Sequence, residues 1–145
     1  MAEELAAANV NRSYSLAATC IAIFTFTLIF MYPKFVSGEV SALMFQAVLV
    51  VMGLATFSFV LASFYYYCAS AGGRMVDTER ASCARRGDRF WLLGSALLFL
   101  DPSLILFAIR VFVAASAWFA LWLVYLLFAF RHFPKVQTVR QSSSS

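Results

Sequence analysis

Gly72–Phe90, GGRMVDTERASCARRGDRF, decides how the rest of this chain is read. It is the one sizeable island of charge between two long apolar blocks, and it holds Arg74, Arg80, Arg85, Arg86 and Arg89, five of the eleven Lys and Arg residues. A short loop rich in arginine between membrane spans is retained on the cytoplasmic side. The same arginines are placed to meet anionic lipid headgroups or a cytoplasmic partner. Within the island, Asp77 is positioned to cap a helix that runs on into the next span. Asp77–Arg80 and Arg85–Asp88 have the i,i+3 spacing of pairs that contribute a few tenths of a kcal/mol each.

Working outward, the composition agrees with a lipid environment. The 145 residues are 63% apolar, 17% aromatic and only 12% charged, with a mean hydropathy of +0.82. Soluble chains carry about 25% charged residues, so this chain lacks the polar side chains to cover a water-facing surface. The net charge of +4 and pI near 9.2 come from residues that flank apolar runs rather than from a basic face of domain size, which argues against nucleic acid.

Four spans are expected. The first, about 14–32, is a charge-free run ended by Tyr32-Pro33, with KFVSGE as an outer turn holding Gly38. The second, about 41–69, is also uncharged and enters the interface through Phe64-Tyr65-Tyr66-Tyr67. Residues 70–88 form the basic loop. Phe90–Phe130 is long enough for two spans and admits two partitions. One turns at Asp101-Pro102-Ser103, with Asp101 as N-cap and Pro102 at the first helical position, but leaves the third span only about 18 Å long above Arg89. The other has spans at about 89–108 and 111–130, a helix break at Pro102, and a turn at Ile109-Arg110-Val111 without Gly, Asn or Pro. Span length is imposed by the bilayer, so the second partition is preferred.

The expected fold class is therefore all-α: a polytopic membrane protein with four transmembrane helices, both termini inside, forming a small bundle that oligomerises. Residues 1–13 are a cytoplasmic segment, 14–136 the transmembrane domain and 137–145 a flexible tail. Nine basic residues then lie inside and two, Lys34 and Arg110, outside. The membrane expected is a plasma or bacterial inner membrane.

Few polar groups are available for function. Asp101 is the sharpest, because a carboxylate at membrane depth costs at least about 2.5–3.5 kcal/mol and must face protein or water. Pro102 removes one backbone donor and frees the Leu98 carbonyl beside it. Gln46, Arg110 and Glu39 complete a candidate polar path with Asp101. Small residues at helical spacing, Ala18/Ala22, Ala55/Ser58/Ala62 and Ser116/Ala120, mark close-packing faces expected within the bundle.

The single histidine, His132, and three cysteines without a CxxC exclude haem, zinc-protease and dithiol signatures. No cofactor and no enzymatic activity are expected. The leading expectation is a small oligomeric channel or transport protein for an ion or small solute. The alternatives are an accessory or assembly subunit of a larger membrane complex, and a membrane sensor or effector working through the basic loop.

Overall fold

The computed structural model describes residues 2–71 and 76–142, with side chains placed for 7–70, 76, 78–129 and 131. Arg74 lies outside the described residues. The chain is all-helical. Its four helices are α1 (Ala2–Val36), α2 (Ala42–Ala71), α3 (Asp77–Ala108) and α4 (Phe112–Ser142), and each is long and apolar enough to cross a membrane. Apolar side chains cover the outside as well as the inside. Val113 is 88% exposed and Leu43 73%, as expected where hydrocarbon rather than water surrounds the helices.

The helix limits correct several expectations. α1 begins at Ala2, so the amino-terminal segment and the first span are one helix. Pro33 does not stop it: the helix runs on to Val36, and Pro33 accepts from Ser37 N at 3.0 Å. Only the rung that its missing N–H would have made is lost. α3 is likewise continuous through Asp101-Pro102, so Pro102 lies within a helix and is not a break. α4 continues to Ser142, through most of the segment expected to be flexible.

The two turns on the side opposite the basic island share one construction. After α1, Glu39 N donates to Lys34 O at 3.0 Å and Gly38 N to Phe35 O at 3.1 Å, with Gly38 at φ 79°. After α3, Val111 N donates to Leu106 O at 2.9 Å and Arg110 N to Phe107 O at 3.1 Å, with Arg110 at φ 63°. Both are Schellman motifs, which satisfy the last free carbonyls of a helix with one residue in the left-handed conformation. Glycine takes that conformation without strain; Arg110 takes it at a cost on the order of 1 kcal/mol. A reversal without Gly, Asn or Pro is thus achieved by one strained arginine. α2 then starts on Ser41, whose hydroxyl accepts from Met44 N at 3.2 Å. α3 starts after Val76, which makes no side-chain cap, so Asp77 sits in the first turn rather than at the cap.

Packing follows chain order. α1 packs on α2, α2 on α3 and α3 on α4, with a slight contact between α1 and α3. The α2–α3 interface is built on a seven-residue repeat. Gly94 faces the Phe59 ring and Gly87 the Tyr66 ring, so closely that an added Cβ would lie 3.1 Å and 3.0 Å from ring carbons. Two repeats from the Phe59–Gly94 level, away from Tyr66, Phe45 and Ala108 share a buried cluster. On α2 the positions are Phe45, Met52, Phe59 and Tyr66; on α3 they are Ala108, Asp101, Gly94 and Gly87. Large meets small at each level, which lets two antiparallel helices approach closely without a hydrophobic driving force between them. The register therefore sets Asp101 opposite Met52.

α1 and α2 mesh in a similar way. Ala17, Cys20, Met52, Ala55 and Phe59 form one buried cluster, and Met31, Val40, Phe45 and Ala108 a second. α4 is attached differently, through two hydrogen bonds to α3 seven residues apart. Trp122 Nε1 donates to Ala96 O at 2.8 Å and Ser103 Oγ to Ala115 O at 3.1 Å. Only 6% of its spanning stretch is buried.

Candidate functional site

α3 brings Asp101 to the centre of its inner face, with Leu97 and Leu98 one turn to one side and Ile105 and Ala108 on the other. Leu97 and Leu98 pack on the first buried cluster, Ile105 and Ala108 belong to the second, and Asp101 occupies the level between them. It is 1% exposed. Neither carboxylate oxygen has a hydrogen-bond partner among the described residues. Along the helix it is about 18 Å from Arg89 and about 14 Å from Arg110, which is near the middle of a hydrocarbon layer about 30 Å thick.

The rest of the expected polar path does not assemble around it. Gln46, Glu39 and Arg110 are all exposed on the outside of the chain. Gln46 lies on α2 away from the α1 and α3 seams, because the inner face is taken by Phe45, Val48 and Met52. Glu39 and Arg110 belong to the two turns. The packing faces divide as well. Ala55, Ser58 and Ala62 are buried, whereas Ala18, Ala22, Ser116 and Ala120 face outward; the second group is not used within the chain.

At the basic end, Arg85, Arg86 and Arg89 are exposed and Arg80 is half-buried. Arg85 and Asp88 do not pair. The Asp88 carboxylate accepts from Tyr66 Oη at 2.7 Å, while Arg85 Nε reaches Ala81 O at 3.3 Å. Tyr65 stacks on Phe90 with ring centres 5.5 Å apart, and the Arg12 guanidinium sits 4.9 Å from the Trp91 ring centre. These contacts join α1, α2 and α3 where the arginines emerge, and the cation–π contact is worth about 0.5–1 kcal/mol at such an exposed site.

Several buried polar groups escaped the sequence reading. Ser13 is fully buried with its hydroxyl unpartnered. Thr27, Ser63, Ser95 and Ser103 are also buried. The Cys20 thiol is fully buried and packs in the first cluster with Met52, Ala55 and Phe59. The available signal was a seven-residue spacing: Ser13, Cys20 and Thr27 on α1, and Gly87, Gly94, Asp101 and Ala108 on α3. Single serines and glycines in apolar runs carry no such message when taken one at a time.

Chemically, an isolated carboxylate enclosed by apolar side chains can take up and release a proton or hold a small cation. Among the described residues no cluster of three His, Cys, Asp or Glu side chains is placed to hold a metal ion. No protein-family model matches the chain, and no match was found among curated proteins or solved structures.

Proposed function

We propose that this chain is a small integral membrane transport protein that moves a proton or small cation, with Asp101 as the group that takes it up. The observation that carries the reading is the Asp101 carboxylate, mid-span, enclosed and without a partner. A membrane helix keeps an ionisable group at that depth at a cost of about 2.5–3.5 kcal/mol or more, and such groups characteristically mark ion or proton pathways. In this proposal residues 70–88 and both termini lie on the cytoplasmic face of a plasma or bacterial inner membrane, following the excess of basic residues there. The exposed arginines Arg85, Arg86 and Arg89 meet anionic headgroups. The protein works as a homo-oligomer. Gln46, Glu39 and Arg110 then line a path only where copies meet, because they point outward from each copy.

The test is reconstitution of purified protein into liposomes with a proton gradient or a cation gradient imposed. Wild type should dissipate one of them, and Asp101→Asn should abolish that flux while retaining helix content. A wild type that moves neither, or a variant that behaves like it, refutes the reading.

One observation favours a second reading, an accessory subunit of a larger membrane complex: α4 is held on one side only and presents an almost fully uncovered apolar surface. Gentle extraction separates the two. Transport predicts a single-species particle; the subunit reading predicts fixed unrelated partners that co-purify in constant ratio.

A further inference from the structure

We infer that the polar stripe along the α1–α2 seam is the route by which protons reach Asp101, entering at the end of the bundle that carries the basic island. The inference rests on the proton-handling reading of Asp101 and adds to it a path, a direction and a set of residues. Cys20 packs with Met52, Ala55 and Phe59 in one buried cluster and Met31 with Phe45 in the other, which sets the α1–α2 register and brings Cys20 level with Thr56. That register sets Ser13 level with Ser63, one heptad from Cys20 and Thr56 towards the basic end. Ser13, Cys20 and Ser63 are fully buried, so with the part-buried Thr56 polar residues line the seam at successive levels.

The two ends of the stripe differ. At the basic end it begins at Ser13, next to Arg12 and Trp91, where the chain meets the interface. At its inner end it reaches Asp101, about four residues of α2, or roughly 6 Å, beyond the Cys20–Thr56 level. Thr27 extends it one heptad further, and there Met31, Val40, Phe45 and Ala108 close the other side with a packed apolar cluster. Polar access is thus one-sided.

Among the described residues, the two side chains with unpartnered buried polar atoms, Ser13 and Asp101, stand at the two ends of the route. The Thr56 hydroxyl donates to Met52 O at 2.9 Å and keeps lone pairs free to accept. Ser63 Oγ donates to Phe59 O at 3.0 Å and is equally able to accept. Successive levels of the stripe are about 10 Å apart, so water entering the seam completes the chain when the helices part slightly. The step is a plain proton transfer: a hydronium ion at the basic face loses its proton to water in the seam, and Asp101 gains one to become a neutral acid. On α1 the buried titratable group is Cys20, in the cluster that holds Met52. α2 contributes no Asp, Glu, Lys, Arg or His between Ala42 and Ala71; its tyrosines lie at the basic end, and α4 packs behind α3.

The test uses the native thiol as a water probe. In the full chain with Cys68→Ser and Cys83→Ser, Cys20 is the remaining cysteine, and vesicles of either orientation are treated with a small charged methanethiosulfonate. Cys20 should react from the basic face and not from the opposite face. Ser13→Val should slow that reaction about tenfold, the effect of a modest added barrier. A control chain with Cys20→Ala and Ala115→Cys, whose thiol sits fully buried between α3 and α4, should stay unreacted. Reaction of Cys20 from the opposite face only, from neither face, or no faster than the control overturns the route. Since labelling needs no flux, the two failures are distinguishable. A reactive Cys20 with Asp101→Asn flux unchanged refutes transport and leaves a hydrated seam; an inert Cys20 with Asp101→Asn flux abolished refutes the route alone.

Discussion

Replacing Asp101 by valine should make the protein more stable and inactive at once. The two side chains are close in size, so the substitution leaves the level opposite Met52 filled and changes only its polarity. In the folded chain the carboxylate is enclosed and makes no hydrogen bond. A buried polar group left unsatisfied costs about 1–3 kcal/mol, and swapping buried polar or charged groups for well-packed apolar ones is often stabilising. Asp101→Val should therefore gain about 1–3 kcal/mol, less any small mismatch in shape. For a chain of this size each kcal/mol moves the thermal midpoint by about 2–4 °C. Asp101→Asn should gain much less, because its amide is just as unpartnered. Thermal unfolding in one detergent, followed by circular dichroism on monodisperse protein, reads all three. If Asp101→Val lowers the midpoint by the equivalent of about 1 kcal/mol or more with helix content intact, then the carboxylate has a stabilising partner in the folded particle. The argument that it is kept for function would then fail.

Gly94→Ala forces a methyl to 3.1 Å from the fully buried Phe59 ring, and overpacking of this kind costs about 1–3 kcal/mol. Adding Phe59→Leu should restore part of the loss, so the double variant will be non-additive in an unfolding titration. Trp122→Phe with Ser103→Ala removes the two hydrogen bonds that tie α4 to α3 among the described residues. At roughly 0.6 kcal/mol per bond in a membrane interior, the pair should raise amide exchange in α4 while leaving α1–α3 unchanged. Arg110→Gly relieves the left-handed strain at φ 63° and should be neutral or stabilising by up to about 1 kcal/mol, once the extra freedom of glycine in the unfolded chain is counted.

Much of the fold was legible because a bilayer imposes length. The expectation of four helices followed from apolar runs alone, and the reversal at Ile109–Val111 follows from the need for two spans of equal length. What was not legible was the inward face of each helix. Where hydrocarbon surrounds the bundle, Phe57 outside and Phe59 inside are equally apolar, so hydropathy cannot sort them. Size does sort them: Gly87, Gly94 and Ala108 recur at seven residues opposite Phe45, Phe59 and Tyr66, and Asp101 occupies the fourth small position. That Gln46 lies on the exposed side of α2 was not legible for the same reason, since nothing in its neighbours marks which side it occupies. Pro33 and Pro102 were overread: a proline deletes one rung, and a helix enclosed by others or near its end runs on.

The one-sided attachment of α4 also bears on biosynthesis. As the chain emerges, α1, α2 and α3 can mesh with one another before α4 has entered the bilayer, since none of their shared seams includes it. α4 then joins a preassembled trio at a single ridge of α3, late and reversibly. A chain ended after residue 111 would keep every seam that α1, α2 and α3 share.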